Sequence, residues 1–201
     1  MLWHYDQPFA DPSALPTFFL ARLTREHVTV ALNGDGGDEN FAGYDRYRER
    51  FAFALFDHLP DFVKNGVWAH ALRAAPRSSE DDGMLARVWR FLVYASEPRE
   101  RRYCRTLCHF TPEQLARLYT ESFRDLIGPR DPFQPIVDLF DEVGADSFLE
   151  KILAVDTLSY LPDDLLVKVD VASMAHSLEV RSPFLDNVFI ELAAKLPERY
   201  K

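Results

Sequence analysis

Long apolar runs are missing from this sequence. No stretch approaches the roughly twenty apolar residues that a membrane-spanning helix needs. The first residues also lack the basic segment followed by an apolar one that is typical of a secretory signal. We therefore expect a cytoplasmic protein that does not bind a membrane.

Positive charge is also in short supply. Lys and Arg number 23 against 32 Asp and Glu, which gives a formal net charge of −9. A negative surface repels phosphate backbones and anionic lipid, so no nucleic-acid partner is expected. The basic cluster of Arg99, Arg101, Arg102 and Arg105 is the exception, and it predicts a solvated face of a helix.

Cysteine is scarce. Cys104 and Cys108 lie four residues apart in a segment of helical character, and no second cysteine pair or flanking histidine pair completes a zinc site. Reduced, structural thiols are expected.

The first 48 residues contain a helix, a strand and a glycine-rich loop. Hydrophobic residues make up 47% and charged residues 27% of the 201, the balance of a soluble globular protein. Ser13 is positioned to cap a helix that runs through Leu23. The apolar run from Val28 to Leu32 predicts a fully buried strand that ends at Asn33. This order is half of a parallel α/β unit, in which ligands bind at the carboxyl ends of strands.

The middle of the chain, residues 49–147, predicts a scaffold of amphipathic helices with breaks at Pro60, Pro76–Gly83 and Gly128–Pro135. Thr111 is expected to cap one of them.

The last segment, residues 148–201, has breaks at Pro162 and Pro183 and places charges among apolar residues. Such charges are costly to bury unless they are paired or used, so this segment is a second candidate for a functional site.

The loop from Asn33 to Glu39 is the clearest chemical motif. Its glycines let the backbone approach an anion, and its carboxylates offer oxygen ligands to Mg²⁺. One alternative is an acidic surface turn. A calcium loop is excluded, because its sixth and twelfth positions would hold Asp38 and Tyr44 rather than Gly and Glu.

Two motifs resemble those of the asparagine synthetase family. Residues 33–44 are similar to the family signature S-G-D-G-G-D-E-L-F-G-G-Y. Residues 160–186 are similar to its block Y-L-P-D-D-L-L-V-K-V-D-R-x-S-M-x-x-S-L-E-x-R-x-P-F-L-D. The opening residues 3–13 also resemble the family, so the likeness spans nearly the whole chain. Asn33 replaces the usual serine, and Val171 replaces a common arginine.

The resemblance implies a fold and an activity. The fold is α/β and predominantly helical, a partial adenine nucleotide α-hydrolase-like (PP-loop ATP pyrophosphatase) domain without its N-terminal strands. The activity is ATP-dependent activation of the aspartate carboxylate as an acyl-adenylate, followed by amidation with glutamine-derived ammonia. ATP and Mg²⁺ are the implied cofactors. Alternatives are an amidotransferase for another carboxylate and a non-catalytic nucleotide- or metal-binding module.

The resemblance also implies roles for residues of the first motif. Asp38 would be a magnesium ligand, and Asp35 would lie beside the acyl substrate. The nucleotide would be faced by Asn33, by Tyr44 and by the backbone of the four residues Gly34, Asp35, Gly36 and Gly37. Glu39 would be a supporting group.

In the second block several roles stay open. Either Asp163 or Asp164 would face the acyl pocket, and Asp164 is the preferred candidate. Lys168 is a candidate for binding the nucleotide. The following charged residues are candidates either for catalysis or for structural pairing: Asp170, Glu179 and Arg181. His176 lacks partners of metal-ligand type, so packing is its expected role.

Three functional parts of the family are not found in these 201 residues. They are the S-G-G-x-D-S loop, a cysteine at position 2, where Leu2 stands, and the lysine of a K-x-x-L-R segment. We therefore expect an internal fragment of the synthetase domain, inactive alone, whose missing parts and glutaminase domain belong to a longer polypeptide or a partner. An exposed apolar edge at Val28–Leu32 then favours homo-oligomers or poor solubility.

Overall fold

Helices account for most of the described chain, and two short strands pair in parallel, so the predominantly helical α/β class is confirmed. The computed structural model describes residues 1–48, 53, 57–58, 60, 94–95, 97–110 and 112–201. The regular elements are α1 (Leu2–Tyr5), α2 (Ala14–Arg25), β1 (Val30–Leu32), α3 (Gly37–Phe41), a 3₁₀ turn (Asp45–Arg48), α4 (Arg99–Leu107), α5 (Pro112–Leu118), α6 (Glu121–Ile127), α7 (Gln134–Glu142), α8 (Phe148–Leu158), a π-helical segment (Leu161–Leu166), α9 (Val167–Met174), β2 (Glu179–Arg181), a 3₁₀ turn (Pro183–Leu185), α10 (Asn187–Ala194) and a 3₁₀ turn (Glu198–Tyr200).

The chain divides into two compact units. The first joins Met1–Tyr44 to Glu142–Lys201, and the second is Asp45–Asp141. Within the described residues, no helix has the length and apolar character needed to cross a membrane.

The first unit is built around the parallel pair of β1 and β2. Val30 lies opposite Glu179 and Leu32 lies opposite Arg181. Helix α9 packs on α2, and α8 packs on α3. The core of this unit includes Ala14, Ala21, Leu149, Ile152, Val155, Leu161, Leu165, Ala172 and Leu178. His176 also packs as expected, with its ring 4.3 Å from that of Phe18.

The predicted buried strand is present but is not buried, so that prediction was wrong. β1 is shorter than expected, and Val30 and Leu32 are 41% and 71% exposed. Among the described residues β1 pairs only with β2, so its side chains lack the cover that a wider sheet provides. Val28 is exposed as well, which agrees with the expected apolar edge.

One local prediction in this unit was wrong, and one strand was missed. Helix α2 begins after Ser13, but the Ser13 side chain makes no capping bond, because its hydroxyl accepts a hydrogen bond from Lys168 instead. The break expected at Pro162 lies just before that residue, because α8 ends at Leu158 and Ser159 has a non-helical backbone. Pro162 itself lies at the start of the π-helical segment, where a missing N–H is tolerated. The strand β2 was not predicted, because charged residues flank its single apolar position.

In the second unit, three of the four arginines of α4 do not form the solvated face that was predicted, whereas Arg99 is exposed. Arg102 is buried, donates to both oxygens of Asp57 at 2.6 Å and also donates to the carbonyl of Ala95. Arg101 pairs with Asp131, and Arg105 makes two bonds to Glu97. The guanidinium groups stack over aromatic rings such as Phe133, which allows them to approach the core.

The other predictions for this unit fall on helix boundaries and cysteines. Both cysteines are free, with Cys104 buried and Cys108 exposed. The break predicted at Gly128–Pro135 is shorter than expected. Helix α7 begins at Gln134, so Pro135 belongs to its first turn. The Thr111 cap and the break at Pro76–Gly83 fall outside the described residues.

Candidate active site

The glycine loop leaves the carboxyl end of β1 and is held to the last residue of β2. The Asn33 amide N–H donates to the carbonyl of Arg181 at 3.0 Å, which extends the strand pairing into the loop. The Gly37 N–H then donates to the carbonyl of Gly34 at 3.0 Å and closes a tight turn. The loop is therefore fixed at both ends before α3 begins.

Gly36 meets two requirements that favour glycine at its position. Its φ of 90° lies in the left-handed region, which is unfavourable for residues with a Cβ. A Cβ there would also lie 2.9 Å from Cγ of Leu185 and closer still to its Cδ2. The side chain of Leu185 thus packs directly under the loop. The P-F-L segment of the second motif, Pro183–Leu185, therefore supports the glycine loop of the first motif.

The side chain of Asn40 joins the same two motifs. Its Nδ2 donates to the carbonyl of Gly36 at 2.7 Å and to the carbonyl of Phe184 at 2.9 Å. Because two backbone carbonyls share one amide group, the loop and the P-F-L segment are held at a fixed spacing. Asn40 occupies the position at which the signature has leucine.

Asn33 links the second motif to Asp35. Its Oδ1 accepts a hydrogen bond of 2.6 Å from the Ser182 hydroxyl, and its Nδ2 donates to Oδ2 of Asp35 at 2.5 Å. Burial raises the pKa of the Asp35 carboxyl, while the charge of Lys168 and the bond from Asn33 work in the opposite direction. Asp35 is thus a half-buried acid with a defined orientation.

Lys168 is held in the first unit by a buried ion pair. Its Nζ lies 2.7 Å from Oδ2 of Asp11 and donates to the Ser13 hydroxyl at 2.9 Å, and the two charged side chains are 11% and 13% exposed. Burial favours a raised pKa for the Asp11 carboxyl, but the bonds from Lys168 and Ser13 outweigh it and hold the pKa below its usual range. The Tyr5 hydroxyl donates to the carbonyl of Lys168 and closes this region.

Tyr44 connects the first motif to the start of the second. Its hydroxyl donates to the buried Glu39 carboxylate at 2.6 Å, and its ring lies edge-on to that of Tyr160. Burial, followed by the bond to Glu39, raises the pKa of the Tyr44 hydroxyl well above its usual range. Tyr44 therefore remains protonated and acts as a hydrogen-bond donor at neutral pH.

The Asp38 carboxylate lies over the backbone of Gly43. A Cβ on Gly43 would fall 2.8 Å from Cγ of Asp38 and closer still to its Oδ1, so the carboxylate occupies the space that a side chain would fill. Asp38 is exposed, which leaves it accessible to an ion. Within the part of the chain that the structure describes, no group of three or more His, Cys, Asp or Glu forms a complete metal site. One carboxylate fits Mg²⁺ that also binds phosphate, because that ion is commonly held by one or two carboxylates together with substrate phosphates.

The candidate acids of the second motif lie in the π-helical segment. Such segments occur frequently at functional sites. Asp163 is exposed, whereas Asp164 is partly buried. Burial raises the pKa of the Tyr5 hydroxyl, and the charges of Asp11 and Asp164 add to that effect. Asp164 and the ion pair of Lys168 therefore influence the same tyrosine.

Glu179 and Arg181 pair with each other on the exposed face of β2. The Arg181 Nε lies 2.7 Å from Oε1 of Glu179, and the two side chains are 66% and 54% exposed. Residues two apart on a strand point to the same face, which explains the pairing. An exposed pair of this kind contributes little to stability. Asp170, the other open candidate, is exposed on α9.

Comparison with known families decides the relationship of this chain. The asparagine synthase family model matches residues 1–201. The chain belongs to the asparagine synthase family. It is 33% identical over 206 residues to asparagine synthetase [glutamine-hydrolyzing] 1 of Bacillus subtilis (strain 168), a match that covers 100% of this chain and 30% of that protein.

Other relatives show similar coverage. A putative asparagine synthetase [glutamine-hydrolyzing] of Mycobacterium bovis is 34% identical over 197 residues, which covers 98% of this chain and 28% of that protein. Amidase chry2 of Gibberella zeae is 22% identical over 210 residues, or 99% of this chain and 30% of that protein. The chain thus spans about 30% of the length of these relatives. No solved structure matches the chain.

Several residues around this asparagine synthase family loop were not found by sequence reasoning. Asp11 and Ser13 meet Lys168 across 157 and 155 positions, and Ser182 meets Asn33 across 149. No local pattern encodes such pairings. The role of Asn40 had one available signal, its departure from the leucine of the family signature.

Proposed function

We propose that this chain forms part of the active site of an ATP-dependent asparagine synthetase. The reaction activates the aspartate carboxylate as an acyl-adenylate with release of pyrophosphate, and ammonia then forms the amide. The observation that carries the proposal is the interlocking of the two family motifs: Asn40 and Leu185 hold the glycine loop against the P-F-L segment. A catalytic loop requires such preorganisation to align reacting groups.

The glycine loop is the proposed binding surface for the phosphates. The backbone of Gly34–Gly37 would face the nucleotide, since glycine permits close approach of N–H groups to an anion. Asp38, lying over Gly43, would hold Mg²⁺. When bound, this ion would neutralise charge on the departing pyrophosphate.

The acidic side chains would position the acyl substrate. Asp35 would lie beside it, with its carboxylate oriented by Asn33. Asp164 would line the acyl pocket from the π-helical segment. Tyr44, whose hydroxyl donates to Glu39, would support the loop on its nucleotide side. Lys168 would act near the nucleotide mainly through its charge, because Asp11 and Ser13 engage its ammonium group. Glu179 and Arg181 would assist only if a ligand separated their ion pair.

The remaining parts of the active site would come from other residues. The S-G-G-x-D-S loop, the lysine of the K-x-x-L-R segment and a glutaminase cysteine do not occur in these 201 residues. They would be supplied by a longer polypeptide or a partner chain. The exposed apolar edge at β1 would be covered by that chain or by self-association. We further propose that the whole domain has the adenine nucleotide α-hydrolase (PP-loop) fold and functions in the cytoplasm, with β1 and β2 as two strands of its parallel sheet.

The acyl substrate has a second candidate class. One relative is named an amidase rather than an asparagine synthetase, although it matches 99% of this chain. Amidation of a carboxylate other than aspartate is therefore the second proposed function. Comparing pyrophosphate release with aspartate and with other carboxylates, in an enzyme completed by the missing loop, distinguishes the two.

Titration of the purified chain with pyrophosphate and Mg²⁺ tests the proposed site. We expect binding that requires Mg²⁺ and that weakens about tenfold or more in Asp38→Asn, because the amide oxygen is a poorer ligand than a carboxylate. Asp146→Asn is the matched control, since Asp146 is an exposed acid of the same unit outside both motifs, and it should bind like the wild type. Equal binding by Asp38→Asn would contradict the metal assignment. Pyrophosphate release from ATP by the isolated chain would contradict the need for other parts.

A further inference from the structure

Asn33 lies between a hydroxyl of the second motif and an acid of the first. Its Oδ1 accepts from Ser182 at 2.6 Å, and its Nδ2 donates to Oδ2 of Asp35 at 2.5 Å. The Asn33 main chain is held as well, because its N–H donates to the carbonyl of Arg181. The whole residue is therefore fixed between β2 and the glycine loop.

The chemistry of these partners defines which end of the Asn33 amide faces Asp35. An ionised carboxylate only accepts hydrogen bonds, so the NH₂ group must point toward Asp35. The carbonyl oxygen is then directed at Ser182, whose hydroxyl donates to it. Serine, the usual residue of the signature, is shorter and carries a single O–H donor. It does not span Ser182 and Asp35 in this way.

We infer that Asn33 is a positioning residue that orients the Asp35 carboxylate, and that Ser182 fixes the direction of the Asn33 amide. The bond holds one carboxylate oxygen, so the other points in a defined direction. The inference rests on the proposed function for the use of Asp35, but the geometry belongs to this chain. It changes the expected role of Asn33 from direct contact with the nucleotide to control of a neighbouring acid.

The charge state of Asp35 reports on this contact. Burial raises the pKa of the Asp35 carboxyl, and the Asn33 bond and the Lys168 charge counter that effect. Loss of the Asn33 amide removes one of the two opposing contributions. The pKa of Asp35 then rises further, because hydrogen bonds to a carboxylate favour its ionised form.

The test is a pH titration of the Asp35 carboxyl carbon by NMR, assigned with Asp35→Asn. We expect Asn33→Leu to raise the pKa of Asp35 by about one pH unit. Asn40→Leu is the matched control: it makes the same substitution in the same loop, but Asn40 donates to the carbonyls of Gly36 and Phe184 and not to Asp35. It should leave the pKa within about 0.3 pH unit of the wild type.

Asn33→Ser introduces the residue of the signature and decides the question if the leucine variant does not fold. It should also raise the pKa of Asp35. An unchanged pKa in a folded Asn33 variant overturns the inference, and so does an equal shift in Asn40→Leu. The titration needs no nucleotide, so it is independent of the pyrophosphate test. The pKa of Asp35 can stay unchanged while pyrophosphate still binds, and the pKa can shift as expected while pyrophosphate binding is lost.

Discussion

The two units of this chain use polar side chains in different ways. In the first, an ion pair and hydrogen bonds join residues 144 to 157 positions apart, and the bonds of Asn33 and Asn40 hold the glycine loop in place. In the second, arginines on α4 pair with acids 8 to 45 positions away and are satisfied by them. The long-range bonds of the first unit hold the glycine loop against the second motif, whereas those of the second unit hold α4 to neighbouring segments.

The largest expected effect tests the interlocked motifs of the first unit. Gly36→Ala combines a positive φ with a collision against Leu185, so it should lower the free energy of unfolding by about 2–4 kcal/mol. Gly34→Ala is the control, because a Cβ there meets no atom within 4 Å, and its cost should stay below about 1 kcal/mol. Urea denaturation measures both. Similar costs for the two variants would show that Leu185 does not support the loop.

The next effect compares one ion pair from each unit. Lys168→Met should cost about 2 kcal/mol at pH 7, because it leaves the buried Asp11 carboxylate without its cation. Arg101→Met should cost at most about 1 kcal/mol, because Arg101 and Asp131 are each 33% exposed. Thermal denaturation of the two variants checks the order. A larger cost for Arg101→Met would reverse the comparison.

The Lys168 pair also predicts a pH dependence. The pKa of the Asp11 carboxyl is held below its usual value in the folded chain. The associated stability is therefore complete above the unfolded pKa, and it is lost as the pH falls below about 4 toward the folded pKa. The difference between wild type and Lys168→Met should narrow from pH 7 to pH 3. A constant difference across that range would contradict the assignment.

The smallest effect concerns Ala42, a non-glycine residue at a φ of 55°. Ala42→Gly should raise the free energy of unfolding by about 0.5–1 kcal/mol, since glycine adopts this conformation without a Cβ penalty. Ala175→Gly is the matched control, because Ala175 has a φ of −56° at the end of α9. It should lower stability by about 0.5–1 kcal/mol. Shifts of the same sign in chemical denaturation would refute the strain at Ala42.

Much of the chain near the motifs was predictable from local patterns. The helix from Ala14, the strand ending at Leu32 and the glycine turn follow from apolar periodicity and from residues with special backbone freedom. Strand burial was not predictable in the same way. A β-branched run indicates a strand, but its burial depends on which other elements cover it, and Val30 and Leu32 are exposed.

The arginines of α4 show the same limit in the second unit. Their sequence spacing is that of a polar helix face, yet Arg102 is buried against Asp57. Charge alone does not distinguish a solvated arginine from one that packs its stem and stacks on an aromatic ring. The distinction requires the partner, which lies 45 positions away.

The sequence by itself determined the family, the order of the two motifs and the chemical types that they carry, because these depend on residue identity and spacing. Only the tertiary structure decided that Asn33 orients toward Asp35, that Lys168 pairs with Asp11, and that Leu185 lies under Gly36. Those contacts join distant segments, and their distances and directions arise only when the chain packs. The physical reason is that hydrogen bonds and close contacts act over a few ångströms, whatever the separation along the sequence.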